Sequence, residues 1–264
     1  MNILDTIVAH KHKEVADRKQ VISVRELEKR TLFQRPVTSI GKHLLNPTAS
    51  GIIAEFKRKS PSKGIINSTA KADSTTMQYI QAGVSALSVL TDESFFGGSD
   101  EDFLAARSAN NCPMLRKDFV IDEYQIIEAK SIGADVILLI AASLTSETIK
   151  KYASLAHSLG MEVLLEVHNE NELLQNLSSD ADLIGVNNRD LKTFDVSIEV
   201  SRRLYPLIPR EVIKVSESGI DSVNAILELK KVGFQGFLMG QKFMEQTDPG
   251  LACKNFIREL RTAK

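Results

Sequence analysis

One phrase recurs along this chain: the end of a helical stretch closes on Gly, and an apolar run follows. It reads QAGVSALSVL, SIGADVILLI, SLGMEVLLEV and KVGFQGFLMG. Because Gly adopts the left-handed conformation that ends a helix, each phrase predicts a helix C-cap feeding a strand. The runs are rich in aliphatic and β-branched residues and show almost no polar alternation. That is the pattern of strands buried on both faces, as in a parallel sheet covered by helices. Four more runs share it, GIIAEFK, CPMLRKDF, DLIGVNN and VIKVSES. Amphipathic segments such as EYQIIEAKSIG, SETIKKYASLAHSLG and SVNAILELKKVG lie between them, so strand is followed by helix throughout.

Eight such repeats predict an α/β fold of one kind, a closed (β/α)8 TIM barrel. From Gly51 onward the chain is a little shorter than the ~250 residues typical of that fold, and no linker marks a second domain. Residues 1–264 are therefore expected to form a single barrel domain, with 1–45 as an N-terminal helical extension. The alternative is an open doubly wound sheet, which calls for a glycine-rich phosphate loop after its first strand. Neither G-x-G-x-x-G nor a P-loop occurs. Residues 2 to about 30 predict one extra helix outside the repeat, with Ile3, Leu4, Ile7 and Val8 on its apolar face, placed as a lid on one end of the barrel. Its basic residues are interrupted by Glu14, Asp17, Glu26 and Glu28, which predicts a solvated face rather than a nucleic-acid contact.

Lys and Arg total 33 against 34 Asp and Glu, so the formal net charge is -1. No global field draws such a chain to nucleic acid or to an anionic membrane, and anion recognition has to be local. The longest apolar run, Val136 to Ala142, falls far short of the ~20 residues that span a bilayer. The N-terminus mixes acids and bases where a signal peptide needs an uninterrupted apolar run. These features predict a soluble cytoplasmic protein without membrane or nucleic-acid partners. Cys112 and Cys253 lie far apart in apolar surroundings and are expected to be buried spectators.

In a barrel of this kind chemistry sits where strands end at the C-terminal face. Side chains alternate along a strand, so in IIAEFKRKS Glu55 and Lys57 share one face while Phe56 takes the other and suits the helices. Both charges then point inward. By the same alternation Lys117 shares a face with Leu115, Glu166 follows Leu164, and Asn187 precedes Arg189. Burying charges costs several kcal/mol each, so packing alone rarely selects a set like this. Ion pairs that merely neutralise the barrel mouth are the alternative, and for Glu166 taken alone the two readings balance. After the seventh and eighth strands, SESGI and GFLMG place Gly219 and Gly240 where backbone N–H groups can approach a phosphate. Lys57, Lys117 and Arg189 facing two carboxylates predict a small, multiply charged anion as substrate. No metal-ligand spacing is present, and no metal or cofactor is expected. His10, His12, His43 and His157 fall on helices or loops and His168 just past the fifth strand; all five are read as non-catalytic.

Four stretches, IIAEFKRKSPSKG, LTDESFFGGS, LRKDFVID and GVNNRDL, together resemble the signatures of the indole-3-glycerol phosphate synthase family, in the family's order and over essentially the whole chain. The resemblance implies a carboxy-lyase of tryptophan biosynthesis. Its substrate would be 1-(2-carboxyphenylamino)-1-deoxyribulose 5-phosphate, and its products indole-3-glycerol phosphate, carbon dioxide and water. It further implies Lys117 as general acid on the ribulose carbonyl and Glu166 as general base. Lys57 would hold the anthranilate carboxylate and is a candidate donor to the leaving hydroxyl. Glu55 and Asn187 would orient the sugar hydroxyls, with Glu55 a second candidate for dehydration. Phe96 and Phe119 would grip the aromatic ring, Arg189 and Leu191 would complete the wall, and Ser60, Ser218, Gly219, Gly240 and Gln241 would surround the phosphate. The enzyme would use no cofactor and act as a monomer or weak homo-oligomer.

Two positions depart from the family pattern: GGS follows Phe96 where an Asn or other larger residue often precedes the second Gly, and Gln241 stands where Ser, Thr or Glu is common. The second puts only a side-chain contact with phosphate in question. Some relatives are fused to phosphoribosylanthranilate isomerase, whereas this chain is expected to be monofunctional. A Schiff-base lyase or aldolase using Lys117 or Lys57 as nucleophile is the enzymatic alternative, and sequence pattern leaves it open. A non-catalytic scaffold would be expected to have lost some of the inward acids and bases.

Overall fold

The computed structural model describes residues 3–191 and 193–263. Its eight parallel strands are β1 (Ile52–Phe56), β2 (Ala86–Leu90), β3 (Met114–Lys117), β4 (Val136–Ile140), β5 (Glu162–Val167), β6 (Leu183–Asn187), β7 (Ile213–Glu217) and β8 (Gly236–Met239). Each pairs with the next along the chain, and β8 returns to β1 with Ile52 opposite Phe237 and Ala54 opposite Met239, closing the barrel. The expected TIM barrel is thus the observed fold. The four recurring phrases end their helices at Gly83, Gly133, Gly160 and Gly233, all with positive φ.

Among the described residues three α-helices precede the barrel, α1 (Ile3–Val21), α2 (Val24–Glu28) and α3 (Ile40–Leu44). Those between strands are α4 (Ala72–Ala82), α5 (Asp100–Ala109), α6 (Glu123–Ser131), α7 (Ser146–Ser158), α8 (Glu170–Gln175), α9 (Glu199–Leu204) and α10 (Val223–Val232). After β8 come α11 (Gln241–Met244) and α12 (Pro249–Thr262). None of the described helices is long and apolar enough to cross a membrane.

Alternation divides every strand between two cores. Ile53, Ala86, Leu115, Leu164, Leu183, Val215 and Leu238 fill the barrel, and Ile40 and Leu44 of α3 plug its N-terminal end. Ile52, Phe56, Leu87, Val89 and Ile137 face outward under the helices. A charged side chain on an inward position near the C-terminal end therefore has an apolar layer beneath it and finds partners at that open end, whereas Glu162, inward at the opposite end, is held by Ser39, Ile40 and Gly41 of the plug.

The N-terminal extension differs from expectation. Instead of one helix to about residue 30, α1 stops at Val21 and α2 starts afresh at Val24. The cause is a capping box: the Ser23 side chain accepts the Glu26 N–H at 3.3 Å while the Glu26 carboxylate accepts the Ser23 N–H at 2.8 Å. The expected start at Asn2 lies outside the described residues. The face of α1 expected to be solvated is exposed at Lys13, Asp17 and Lys19, and one base alone departs from it among the described residues of α1. Its buried stripe is Leu4, Ile7, Lys11 and Val15, with Lys11 fully buried. As for the thiols, Cys253 is buried and Cys112 partly so, and burial pushes both up to about 12.

Candidate active site

The C-terminal ends of the strands surround a cavity of about 190 Å³, roofed on one side by Ile3, Leu4 and Ile7 of α1. Glu55, Lys57, Lys117, Glu166, Asn187 and Arg189 all reach it, as do Phe96, Phe119 and Leu191. Ser60, Ser218, Gly219, Gly240 and Gln241 line its other end. Every residue singled out in the sequence thus meets in one place.

On the floor, the Lys117 ammonium lies 2.7 Å from Glu166 Oε2 and 2.9 Å from Glu217 Oε2. Beside it Lys57 pairs with Glu55 at 2.6 Å. Burial opposes a charge on Lys117, but Glu166, Glu217 and Glu55 outweigh it and hold the ammonium above the ordinary lysine value. Burial would likewise raise Glu166, yet Lys117 and then His168 hold its carboxyl well below the usual range. Glu217 has only a share in Lys117. Burial pushes it up to about 7, with Lys117 pulling it down and the Glu166 charge pushing it further up. One cluster therefore offers a protonated amine, an ionised carboxylate and a carboxyl poised near neutrality, which is what proton transfer at ordinary pH needs.

Asn187 donates to Glu166 Oε1 at 3.1 Å and accepts the Arg189 N–H at 3.0 Å, so one amide orients both Glu166 and the turn after β6. Arg189 is half-buried, donates to the Phe194 carbonyl at 3.2 Å, and is lowered by that burial. The rings of Phe96 and Phe119 stand 5.7 Å apart at 39°, forming an apolar wall. At the other end Ser218 and Gly219 are both left-handed, φ 66° and 70°, which turns the chain sharply after β7. Buried Asn188 holds that turn, donating to Ser218 O at 3.0 Å and to the Ser216 hydroxyl at 2.9 Å.

Two participants were not anticipated. Glu217 carried a readable signal, since in VIKVSES it follows inward Val215 as Glu166 follows Leu164. A second sign was the glycine inside β6: a Cβ on Gly185 would lie 2.1 Å from Glu217 Oε1, so only glycine leaves room for that carboxylate. Lys11 carried no such signal. From α1 it reaches Asp92 and Asp118, each at 3.0 Å. Asp92 accepts the N–H groups of Phe95 and Phe96 at 2.8 and 3.1 Å, and Asp118 accepts that of Phe119 at 2.8 Å. One buried ammonium thus ties together the two loops that carry the aromatic wall. A second network continues it outward, where Arg116 and Arg18 share Asp100 and Glu128.

Fold and site define a (β/α)8-barrel enzyme of the acid–base kind, with an aromatic wall and several cations for a small anionic substrate. The family model for indole-3-glycerol phosphate synthase matches residues 4–260. The indole-3-glycerol phosphate synthase of Bacteroides thetaiotaomicron is 46% identical over 260 residues, covering 98% of this chain and 99% of that one. That of Chromobacterium violaceum is 43% identical over 261 residues, covering 97% and 98%. Among solved structures, thiamine phosphate pyrophosphorylase from Pyrococcus furiosus superposes with a TM-score of 0.58 at 14% identity over 79% of this chain and 95% of that one, a likeness of fold alone. The chain belongs to the indole-3-glycerol phosphate synthase family. It is a carboxy-lyase of tryptophan biosynthesis that closes, decarboxylates and dehydrates the carboxyphenylamino deoxyribulose phosphate to indole-3-glycerol phosphate.

Proposed function

We propose that Lys117 protonates the ribulose carbonyl as the aromatic carbon bearing the carboxylate attacks it. The observation that carries this reading is the Lys117 ammonium, held charged between Glu166 and Glu217 on the cavity floor. Protonation makes the carbonyl carbon electrophilic enough for the ring to add. Departure of carbon dioxide then leaves its electron pair in the ring and restores aromaticity. In the last step the new hydroxyl leaves as water, with Lys57 as donor and Glu166 taking the proton from carbon; Glu55, paired with Lys57, is the second acid for that step. Glu217 shares the Lys117 proton and resets its charge between steps.

The aromatic ring packs against Phe96 and Phe119, Lys57 meets the departing carboxylate, and Asn187 orients the sugar hydroxyls. Arg189 and Leu191 close the wall. Ser60 and the backbone N–H groups at Ser218, Gly219, Gly240 and Gln241 hold the phosphate. Because one chain supplies all these residues, a monomer suffices, and we place the enzyme in the cytoplasm, where its anionic phosphate substrate is confined. Indole formation from the carboxyphenylamino substrate, followed by ultraviolet absorbance or fluorescence, tests the reading. Turnover by the wild type that Lys117→Met and Glu166→Gln both abolish is the expected result; undiminished turnover in either variant removes that residue from the mechanism.

A further inference from the structure

Glu166 ends on the cavity floor, and two residues later His168 folds back against it. Its Nε2 lies 3.3 Å from Glu166 Oε1, a contact of charges without a formed hydrogen bond. Its Nδ1 lies 3.2 Å from Glu172 Oε2 of α8. That same oxygen accepts the His168 backbone N–H at 2.8 Å, and Glu172 Oε1 accepts from the Asn169 side chain at 2.6 Å, so Glu172 is itself firmly held. The imidazole is only 9% exposed. A neutral imidazole keeps one lone pair, which between two carboxylates would face a negative charge on one side; the doubly protonated ring avoids this. Burial opposes that charge, but the contacts with Glu166 and Glu172 outweigh it and raise the ring to about 10.

Glu166 therefore meets different partners at its two oxygens. Oε2 faces Lys117 at 2.7 Å, whereas Oε1 faces His168 and accepts from Asn187 at 3.1 Å. Of the remaining charged groups of the cluster, Glu217 repels its charge directly and shares Lys117 with it, and Glu55 acts on Lys117. We propose that His168 is a positioning residue: as an imidazolium held by Glu172, it anchors Oε1 of Glu166 and keeps that carboxylate ionised, leaving Oε2 as the oxygen that exchanges protons with the substrate. The inference rests on Glu166 being an acid–base group of the reaction. It gives work to a histidine that does not line the cavity and that sequence reading set aside.

The test compares kcat and KM as functions of pH for the full-length wild type, His168→Gln, Glu172→Gln and Glu166→Gln, with the carboxyphenylamino substrate. Gln at 168 can still donate a hydrogen bond but carries no charge. Loss of a cation within 4 Å of a carboxylate moves its titration upward by about one to three pH units. The acid limb of kcat in His168→Gln is expected to rise by about that much while KM changes little; the limb belongs to the coupled cluster of Glu166, Glu217 and Lys117 as a whole. In Glu172→Gln the ring loses one of the two carboxylates that hold its proton. Its nitrogen resonances should then titrate within the neutral range, where those of the wild type do not, and this arm stands even if His168→Gln folds poorly. A wild-type acid limb in His168→Gln, or a neutral His168 in the wild type at pH 7, overturns the proposal, whatever the thermal stability of the variants. If Glu166→Gln keeps full turnover, the failure lies with the assignment of Glu166. An inactive Glu166→Gln beside an unmoved His168→Gln sinks the role of His168 alone.

Discussion

Glu217 sets its Oε2 2.9 Å from Nζ of Lys117, while its Oε1 is buried without a hydrogen-bond partner among the described residues. A carboxylate in that position is costly, and burial pushes its pKa from 4.5 up to about 7. Across that interval the folded protein keeps a proton that the unfolded chain has released. The contribution to stability is therefore full below about 4.5 and is lost as pH rises through about 7. Glu217→Gln should flatten this decline and cut kcat by roughly 10² to 10⁴. Urea denaturation at a series of pH values checks the first part, and an unchanged slope would show that Glu217 does not carry it.

Lys117 is held protonated, as a general acid must be and as a Schiff-base nucleophile must not. Lys117→Met should lower turnover by ~10² to 10⁴ or more while ligand binding persists. Borohydride added during wild-type turnover should leave no adduct. A reduced sugar-phosphate adduct located on Lys117 or Lys57 by mass spectrometry would promote the covalent lyase instead.

Lys11 joins Asp92 to Asp118 beneath the aromatic wall. Replacing it by Met leaves two buried carboxylates without their shared cation, a loss of about 3 to 5 kcal/mol by the usual cost of breaking a buried pair. Because Phe96 and Phe119 hang on those carboxylates, KM should rise more than kcat falls. Burial alone would raise Asp118, but Lys11 and Arg116 hold it below the usual carboxylate range. Its contribution to stability is thus present above the ordinary aspartate value and disappears as pH falls through the lower folded value. Lys11→Met should weaken this acid-side loss. Calorimetry from pH 7 down to about pH 2 reads both effects, and an unaltered Tm would contradict the network.

At the phosphate end, a Cβ on Gly219 would lie 2.1 Å from Val196 Cγ1 with the backbone at φ 70°, so a larger residue must move the turn. Gln241 instead directs its side chain to Glu245, at 3.4 Å. Gly219→Leu should weaken product binding markedly, and Gln241→Ser should be nearly silent, since a backbone N–H serves phosphate whatever the side chain. Titration calorimetry with indole-3-glycerol phosphate that ranks the two in the opposite order would put the phosphate on side chains.

The barrel was legible because parallel strands buried on both faces leave long apolar runs, and because glycine ends the helices before four of them. Period-two alternation was enough to turn Glu55, Lys57, Lys117, Glu166 and Asn187 inward, and it applied equally to Glu217, where it went unused. The break in the N-terminal helix was also written locally, as Ser23 and Glu26, though hydrophobic periodicity does not reveal it.

What the sequence by itself determined is therefore the strand–helix order, the closure implied by eight repeats, and the face on which each strand residue lies, since all three follow from short-range patterns of apolar and polar residues. Only the tertiary structure decided the charges. Lys11 meets Asp92 and Asp118 from a distant part of the chain, and Glu217 rises to about 7 because it is buried with only a share in one lysine. Protonation depends on the burial and on the partners that folding assembles around a group, and neither is a property of its neighbours in sequence.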